Sequence, residues 1–552
     1  MLTRKITLVG LVLSLLSLNA QAESKRYLVQ FKSSQTFNNV IQNMRGADAS
    51  RTGSFSGMRL LNSNATVGQA FQHLDMLVIE TSDPAAISSL KNHPAIALVE
   101  QEIFHPAPKP MATWGNQVQS QRFSSASMDT PWGITAVKAP EAWTTTKGET
   151  ARVMVLDTGI DKAHAALKGR YEKGRNFTTA DADDLTDQIG HGSHVAGTIL
   201  ADGLNGAIVG VAPEAKLLMG KVCSMQGCSS VAIAGGINWA IEERVDVVNM
   251  SLGGMFISNA EALALLRAEA EGVMVIAASG NSGTPSVSYP AAFRTVLAVG
   301  AIDSTLTKAG FSQWGPELAI VGPGVDVLSA VPSGTGRGAT VKMDLGDGKG
   351  LSEIKCLPFV GSPLMNNNEN DVVFAGLGKP ADFATINVRG KFALISRGEI
   401  AFTEKVNNAI QAGAVGVIIF NNAPGLLQGA LTDDGSEAAI PAAMIEQTVG
   451  EAARQVLTAG QGIRASFSID ATDYASFQGT SMATPHVAGV AALVRAANKN
   501  LTPAQVRDLL KATAFPLGPN TNNEYGSGLV DANAAVQRAI SMNTPELLRV
   551  AN

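Results

Sequence analysis

Gly479-Thr480-Ser481-Met482-Ala483-Thr484-Pro485-His486-Val487-Ala488-Gly489-Val490-Ala491-Ala492-Leu493-Val494 decides how this chain is read. A glycine turn leads through Ser-Met-Ala-Thr-Pro into a run of small apolar residues. The run is apolar on every side, which marks a buried helix. Pro485 fits a first turn, where a backbone N–H lacks a partner anyway. Ser481 then stands at a helix N-terminus, where free N–H groups and the dipole favour negative charge. Such a serine is either a plain N-cap on a core helix or a nucleophile whose reaction creates an oxyanion.

Two further stretches weigh on that choice. Val153-Met154-Val155-Leu156-Asp157-Thr158-Gly159-Ile160-Asp161 is an apolar strand ending in an acid and a turn. Gly190-His191-Gly192-Ser193-His194-Val195-Ala196-Gly197-Thr198 is a glycine-flanked histidine opening a small-residue helix. Acid, base and nucleophile follow in the order Asp, His, Ser. With these blocks in view the chain resembles the subtilisin-like serine proteases (subtilases), whose triad runs in this order. The resemblance implies Ser481 as nucleophile, His191 as the base that takes its proton, and Asp157 as the group that orients the imidazole. His164, His194 and His486 fall inside matching blocks, but a triad needs one base, so they read as packing or hydrogen-bonding residues.

The resemblance extends to the cleft. Ser279-Gly280-Asn281-Ser282-Gly283 follows the apolar segment Val273 to Ala278 and matches the family's oxyanion segment. Asn281 is the amide donor it implies, with the Ser481 N–H as the second. In subtilisin, loss of that amide costs about 10²–10³ in turnover. Ser251-Leu252-Gly253-Gly254 matches the segment that pairs with an extended substrate backbone, a mode in which main-chain bonds give affinity and pockets give specificity. Ser288, before Tyr289-Pro290, matches the floor of the first specificity pocket. The pocket reads as roomy and neutral, suited to bulky uncharged side chains.

The surrounding pattern fits an α/β fold. Apolar runs at Leu217 to Val222, Val245 to Met250, Val273 to Ala278 and Val296 to Val299 alternate with helical stretches at Val231 to Glu243 and Asn259 to Glu271. That predicts a parallel sheet covered by helices on both faces, with site residues at the carboxyl ends of strands.

Ahead of this lies other material. Arg4 and Lys5 precede an apolar run from Ile6 to Leu18 and then Ala20-Gln21-Ala22. This reads as a secretory signal peptide of bacterial type over residues 1–22, so the expected location is extracellular, with no membrane span after cleavage. Residues 23–105 read as strand, helix, strand, helix, strand: Arg26 to Lys32, Phe37 to Met44, Asp75 to Glu80, a helix capped by Asp83 and running to Lys91, and Ile96 to Glu100. This small α+β unit resembles the inhibitor-type propeptide of subtilases, which implies an intramolecular inhibitor whose tail lies in the active site. Residues 106–130, rich in Pro, Ser, Gln and Ala, read as a linker containing the maturation bond.

The catalytic domain is expected at 131–333 and 472–545, interrupted by 334–471. The interruption is of domain size, about 140 residues. Gly390 to Gly398, Lys405 to Ala412 and Val415 to Asn422 read as strand, helix, strand. The insertion resembles the protease-associated (PA) domain, although Ile400 lies where a cysteine is often found. It offers no nucleophile or metal cluster and reads as a gating or protein-interaction module.

Composition closes off other classes. The 552 residues are 45% hydrophobic and 16% charged with net charge -5, so there is no basic footprint for nucleic acid. Of three cysteines, Cys223 and Cys228 can close a small loop, as a disulfide or as two free thiols, and Cys356 is left over. Catalysis needs no cofactor. Structural calcium is an expectation of the resemblance, with ligands unknown: Ala166 stands where an aspartate is usual, and the acidic run Asp181 to Asp187 is either a calcium loop, a cleft wall or a solvated loop. The leading reading is a secreted serine endopeptidase made as a zymogen and acting on proteins and peptides. A tripeptide-releasing exopeptidase on the same fold and a catalytically silent protein-binding relative are the alternatives.

Overall fold

The computed structural model describes residues 24–46, 65–108, 130–204, 207–346, 348–427, 429–432 and 436–543. The signal peptide expected over 1–22 and most of the expected linker lie outside the described residues. The chain divides into two compact units, the smaller comprising residues up to Phe71 and Asp75–Glu102 and the larger beginning, apart from residues 72–74, at Ile103.

The smaller unit is a four-stranded antiparallel sheet in which Lys25–Phe31 runs between Met76–Thr81 and Ile96–Gln101, and Ala65–Phe71 lies outside Met76–Thr81. Helices Ser34–Gly46 and Pro84–Lys91 accompany it. Asp83 caps the second helix by accepting from the Ala85 N–H, with Pro84 in the first turn, where its missing N–H costs nothing. Val29, Phe31, Phe37, Leu77, Ile79, Ile87 and Leu90 close its core. The sequence reading counted three strands. The fourth, Ala65–Phe71, was missed because Gly68 and Gln69 interrupt its apolar character, and its outward residues are exposed.

The larger unit is built on a seven-stranded sheet, parallel at every pairing, in the order Leu318–Pro323, Val296–Ile302, Met274–Ala278, Val247–Met250, Arg152–Asp157, Lys216–Lys221, Tyr171–Asn176. Its central strands are buried on both faces, which is why they read as continuous apolar runs. Helix Thr480–Ala497 packs on five of these strands and on helix His191–Leu200, while Ser230–Glu242 and Asn259–Ala270 pack on each other.

The chain leaves this sheet through strand Val327–Ala330 and returns through Tyr474–Phe477, and the two pair antiparallel with Ala330 opposite Tyr474. Between them an eight-stranded mixed sheet forms a separate layer, with helices Phe402–Ala412 and Gln447–Thr458 and two apolar clusters, one around Phe392, Phe420 and Phe467, the other around Phe359, Ile395 and Ile419.

Candidate active site

Asp157 is the last residue of its strand and is fully buried. Its Oδ1 accepts from the Thr158 N–H at 2.7 Å and lies 2.8 Å from His191 Nδ1. Its Oδ2 is buried with no protein donor among the described residues. His191 opens helix His191–Leu200 and is itself 1% exposed. Gly192 makes the approach possible. A Cβ there would stand 2.2 Å from the Gly159 carbonyl oxygen and 3.3 Å from the Asp157 Cβ, so only glycine lets the helix start press onto the turn after Asp157.

Asp187, read from sequence as one member of an acidic run, stands apart from the others. It is buried, accepts from the Thr158 hydroxyl at 2.8 Å and the Gly190 N–H at 2.8 Å, and takes both the Ser193 N–H and hydroxyl at 2.8 and 2.7 Å. It therefore ties the turn after Asp157 to the first turn of the helix that begins at His191. Asp181 and Asp184 are exposed and accept from backbone N–H groups two residues on. Among the described residues no three His, Cys, Asp or Glu side chains converge on a point that could hold a metal ion.

Ser481 lies in the first turn of helix Thr480–Ala497. Pro485 does not sit in the first turn, as its type suggests, but further inside the helix. A proline there removes the N–H that would bond the carbonyl four residues back, which is that of Ser481. The Ser251 hydroxyl takes over, donating to the Ser481 carbonyl at 2.8 Å. The Ser481 hydroxyl donates in turn to the Ser251 carbonyl at 3.2 Å.

Asn281 follows the Met274–Ala278 strand. Its Oδ1 accepts from the Thr480 N–H at 2.8 Å and the Thr480 hydroxyl at 2.9 Å. Those two donors fix the amide orientation, so Nδ2 is the free end. Gly479, at φ +146°, keeps the space beside it open. A Cβ on Gly479 would lie 3.3 Å from Asn281 Nδ2 and 3.7 Å from the Ser481 nitrogen. Two N–H donors thus flank one small volume at a helix N-terminus.

The segment Ser251-Leu252-Gly253-Gly254 leaves the Val247–Met250 strand. Leu252 is buried, and Gly254 exchanges two backbone hydrogen bonds with Tyr289, at 2.8 and 2.9 Å, the residue after Ser288. Ser279 and Gly280 lie alongside: the Ser279 hydroxyl donates to the Gln313 carbonyl, and the Gly280 N–H to the Thr480 hydroxyl. The Ser288 hydroxyl faces the Gln313 amide, which also accepts from the Ser282 N–H and donates to the Ser286 carbonyl. Gln313 is the residue sequence reading missed here. It is 6% exposed and makes the surroundings of Ser288 polar but uncharged. Only its position after the Phe311-Ser312 pair, with no motif of its own, could have pointed to it.

The other histidines are structural, as their blocks suggest. His194 Nε2 donates to the Val327 and Ala475 carbonyls and the ring stacks on Phe477, so it fastens the helix of His191 to both strands of the ribbon at the insertion. Burial holds His194 down at about 3 and His486 at about 4, so both are neutral. His164 bonds the Asp473 carbonyl. Cys223 and Cys228 form a disulfide across the hairpin of Cys223–Ser224 and Gly227–Ser229. Cys356 remains a free thiol, pushed up to about 12 by burial, and is inert at neutral pH.

A family model described as subtilase family matches residues 148–348 and 448–528, and a PA domain model matches 360–453. Alkaline elastase YaB of Bacillus sp. (strain YaB) is 29% identical over 521 residues, covering 94% of this chain and 93% of that protein. The major intracellular serine protease of Bacillus subtilis (strain 168) is 43% identical over 214 residues, 37% of this chain and 67% of that one. Among solved structures, the psychrophilic subtilisin-like protease Apa1 from the Antarctic psychrotroph Pseudoalteromonas sp. AS-11 superposes with TM-score 0.56 at 31% identity, covering 74% of this chain and 99% of that one. With its buried acid–imidazole pair, its helix-borne serine and these matches, the chain belongs to the subtilase family of serine endopeptidases and carries a PA domain within its catalytic fold.

Proposed function

We propose that this protein is an exported endopeptidase made as a zymogen, with Ser481, His191 and Asp157 as its triad and Asn281 as side-chain donor to the oxyanion. The observation that carries this reading is the buried 2.8 Å contact between Asp157 and His191, the latter on a helix that packs against the one bearing Ser481. Ser481 Oγ turns from the Ser251 carbonyl toward His191 Nε2 and bonds the substrate carbonyl carbon as His191 takes its proton. The oxyanion forms between the Ser481 N–H and Asn281 Nδ2. The amine leaves with the proton from His191. Water then attacks the acyl ester by the same route, releasing the acid and restoring the serine. Asp157 Oδ1 keeps Nδ1–H oriented and stabilises the imidazolium.

Substrate backbone pairs with Ser251-Leu252-Gly253, and the neutral pocket of Ser279, Gly280, Ser288 and Gln313 favours bulky uncharged side chains. Inhibition by the N-terminal unit draws support from the start of the larger unit: Phe104–His105 lies antiparallel on Gly227–Ser229, in the manner of a bound peptide strand. Export draws support from the charged, apolar and Ala-Gln-Ala pattern of residues 1–22. No helix among the described residues is long and apolar enough to cross a membrane.

The test is casein hydrolysis by purified mature protein with and without a sulfonyl fluoride, beside Ser481→Ala expressed in a protease-deficient host. The inhibitor and the substitution should each abolish hydrolysis, and the variant should remain an unprocessed precursor. In subtilisin, loss of the nucleophile costs about 2 × 10⁶ in turnover. Normal maturation of Ser481→Ala would disprove self-processing, and inhibitor-resistant hydrolysis would disprove the triad.

A further inference from the structure

The larger unit holds a second buried imidazole–carboxylate pair. His105 Nε2 lies 2.8 Å from Glu261 Oε1, with side chains 5% and 4% exposed. The two partners are held very differently. Glu261 belongs to the fixed framework of helix Asn259–Ala270. Its Oε2 accepts from the Ser258 N–H at 2.9 Å while the Ser258 hydroxyl accepts from the Glu261 N–H at 3.0 Å, a complete capping box. One carboxylate oxygen is thereby anchored, and the other is aimed at His105.

His105 instead belongs to a two-residue strand laid on an edge. Phe104 and His105 stand opposite Ser229 and Cys228, and one residue earlier the Ile103 carbonyl accepts from the Ser230 N–H. The Cys223–Cys228 disulfide ties that edge to the next strand. On its other side the imidazole meets Gly254, where a Cβ would stand 2.7 Å from Nδ1. Gly254 directly follows Ser251-Leu252-Gly253. His105 therefore lies between the two backbone segments that flank an extended peptide in the cleft, with Glu261 at the end of its pocket.

We infer that Glu261 is a specificity-determining residue that makes this pocket selective for a substrate side chain carrying an N–H donor, imidazole above all. The inference rests on the proposed reading of residues 103–106 as a peptide-like occupant of the substrate cleft. A buried carboxylate oxygen needs a donor, and leaving it unpaired is costly. A leucine in the pocket leaves Oε1 without one. An aspartate would set two carboxylates against each other. Imidazole supplies the donor and packs against Gly254, where an added Cβ would crowd its Nδ1. Sites built around a hydrogen bond reject partners that cannot make it far more strongly than apolar pockets reject a missing methylene.

The experiment uses mature wild type, Glu261→Leu and Glu261→Gln with internally quenched peptides of one length, in which each residue upstream of the cleaved bond is varied in turn among His, Leu and Asp. Comparisons are made within each protein, so changes in overall activity cancel. Wild type should prefer His over Leu by about tenfold or more in kcat/KM at one upstream position, with Asp the poorest there. Glu261→Leu should reverse the order to Leu over His. Glu261→Gln, which keeps an acceptor for the helix cap, should lessen the penalty on Asp. A flat wild-type profile at every upstream position, or a His preference retained in Glu261→Leu, would overturn the proposal. The wild-type profile decides it even where a variant fails to fold. Failure of wild type to cut any peptide would instead remove the endopeptidase reading on which the proposal rests.

Discussion

The hydroxyls of Ser251 and Ser481 each donate to the other residue's backbone carbonyl, at 2.8 Å and 3.2 Å. The arrangement follows from Pro485. Without an N–H at that position the Ser481 carbonyl has no helical donor, and Ser251, arriving from the end of a strand 230 positions away in sequence, supplies one. The first turn of the helix is thus located by the sheet as well as by its own ladder. A serine that must present Oγ to a base within a few tenths of an ångström gains from such outside support.

Ser251→Ala should therefore destabilise the protein by about 1–3 kcal/mol, the usual cost of a buried acceptor left without its donor. In a Pro485→Ala background the same change should cost measurably less, because residue 485 then has an N–H for the Ser481 carbonyl. Denaturant unfolding of the four proteins of this cycle, all carrying Ser481→Ala to prevent autolysis, measures the coupling. Equal costs in both backgrounds would show that the hydroxyl acts elsewhere.

Asp187→Ala should lower kcat with little change in KM. The carboxylate holds Thr158, Gly190 and Ser193 together, and so sets how the His191 helix meets the turn after Asp157, while touching neither reacting atom. A displacement of about 1 Å at the base is enough for losses near 10²-fold. Asp187→Asn, which keeps an acceptor oxygen, should recover part of the loss. A rise in KM at constant kcat would place the residue in substrate binding instead.

The difference between Asp187 and Asp157 explains what the sequence could and could not disclose. Asp157 ends an apolar strand and precedes a glycine turn, so its surroundings are local in sequence and its block is recognisable. Asp187 sits in a run of four aspartates that look alike, and only the fold buries one of them against Thr158 and Ser193. Gln313 is similar: it reaches Ser288 across a gap of 25 positions, from a loop without periodicity. The central strands of the parallel sheet were legible because each is buried on both faces and almost wholly apolar, unlike the polar edge strand Tyr171–Asn176. The Ala65–Phe71 strand, exposed on one face and interrupted by glycine, was not. Pro485 was misplaced because a proline marks a first turn by type, while the compensating Ser251 hydroxyl lies far away in the chain.

Stability should fall as pH drops below about 6.5, the ordinary histidine value. His194 and His486 are held at about 3 and about 4 by burial. Between those values and 6.5 the unfolded chain binds protons that the folded one refuses, so unfolding becomes easier as pH falls. Each group contributes a slope of at most about 1.4 kcal/mol per pH unit in that window. His194→Gln or His486→Gln, measured against the parent by denaturant unfolding from pH 7 to pH 4.5, should flatten the dependence. An unchanged slope in both variants would mean that other groups carry it.

The inserted domain hangs from a ribbon whose geometry invites its removal. Val327–Ala330 pairs with Tyr474–Phe477, and the pairing continues into the insertion with Gly336 opposite Thr472. The two ends to be joined are thus neighbours across a ladder, within reach of a short hairpin turn. His194 bonds both strands of that ribbon, and Ser329 donates to the His194 carbonyl, so the helix of His191 is fastened to the stem. Replacing residues 337–471 by a short Asn-Gly turn should leave kcat/KM on a small chromogenic peptide nearly unchanged. Hydrolysis of large folded proteins should change much more, because a domain carried on a stem bonded to the His191 helix can restrict access by size and supplies no reacting group. Circular dichroism establishes that the shortened protein is folded, and the two rates are then compared. If small-peptide and large-protein hydrolysis moved by the same factor, access would be excluded as the role of the insertion, and its contribution would have to lie in holding the ribbon and the His191 helix in place.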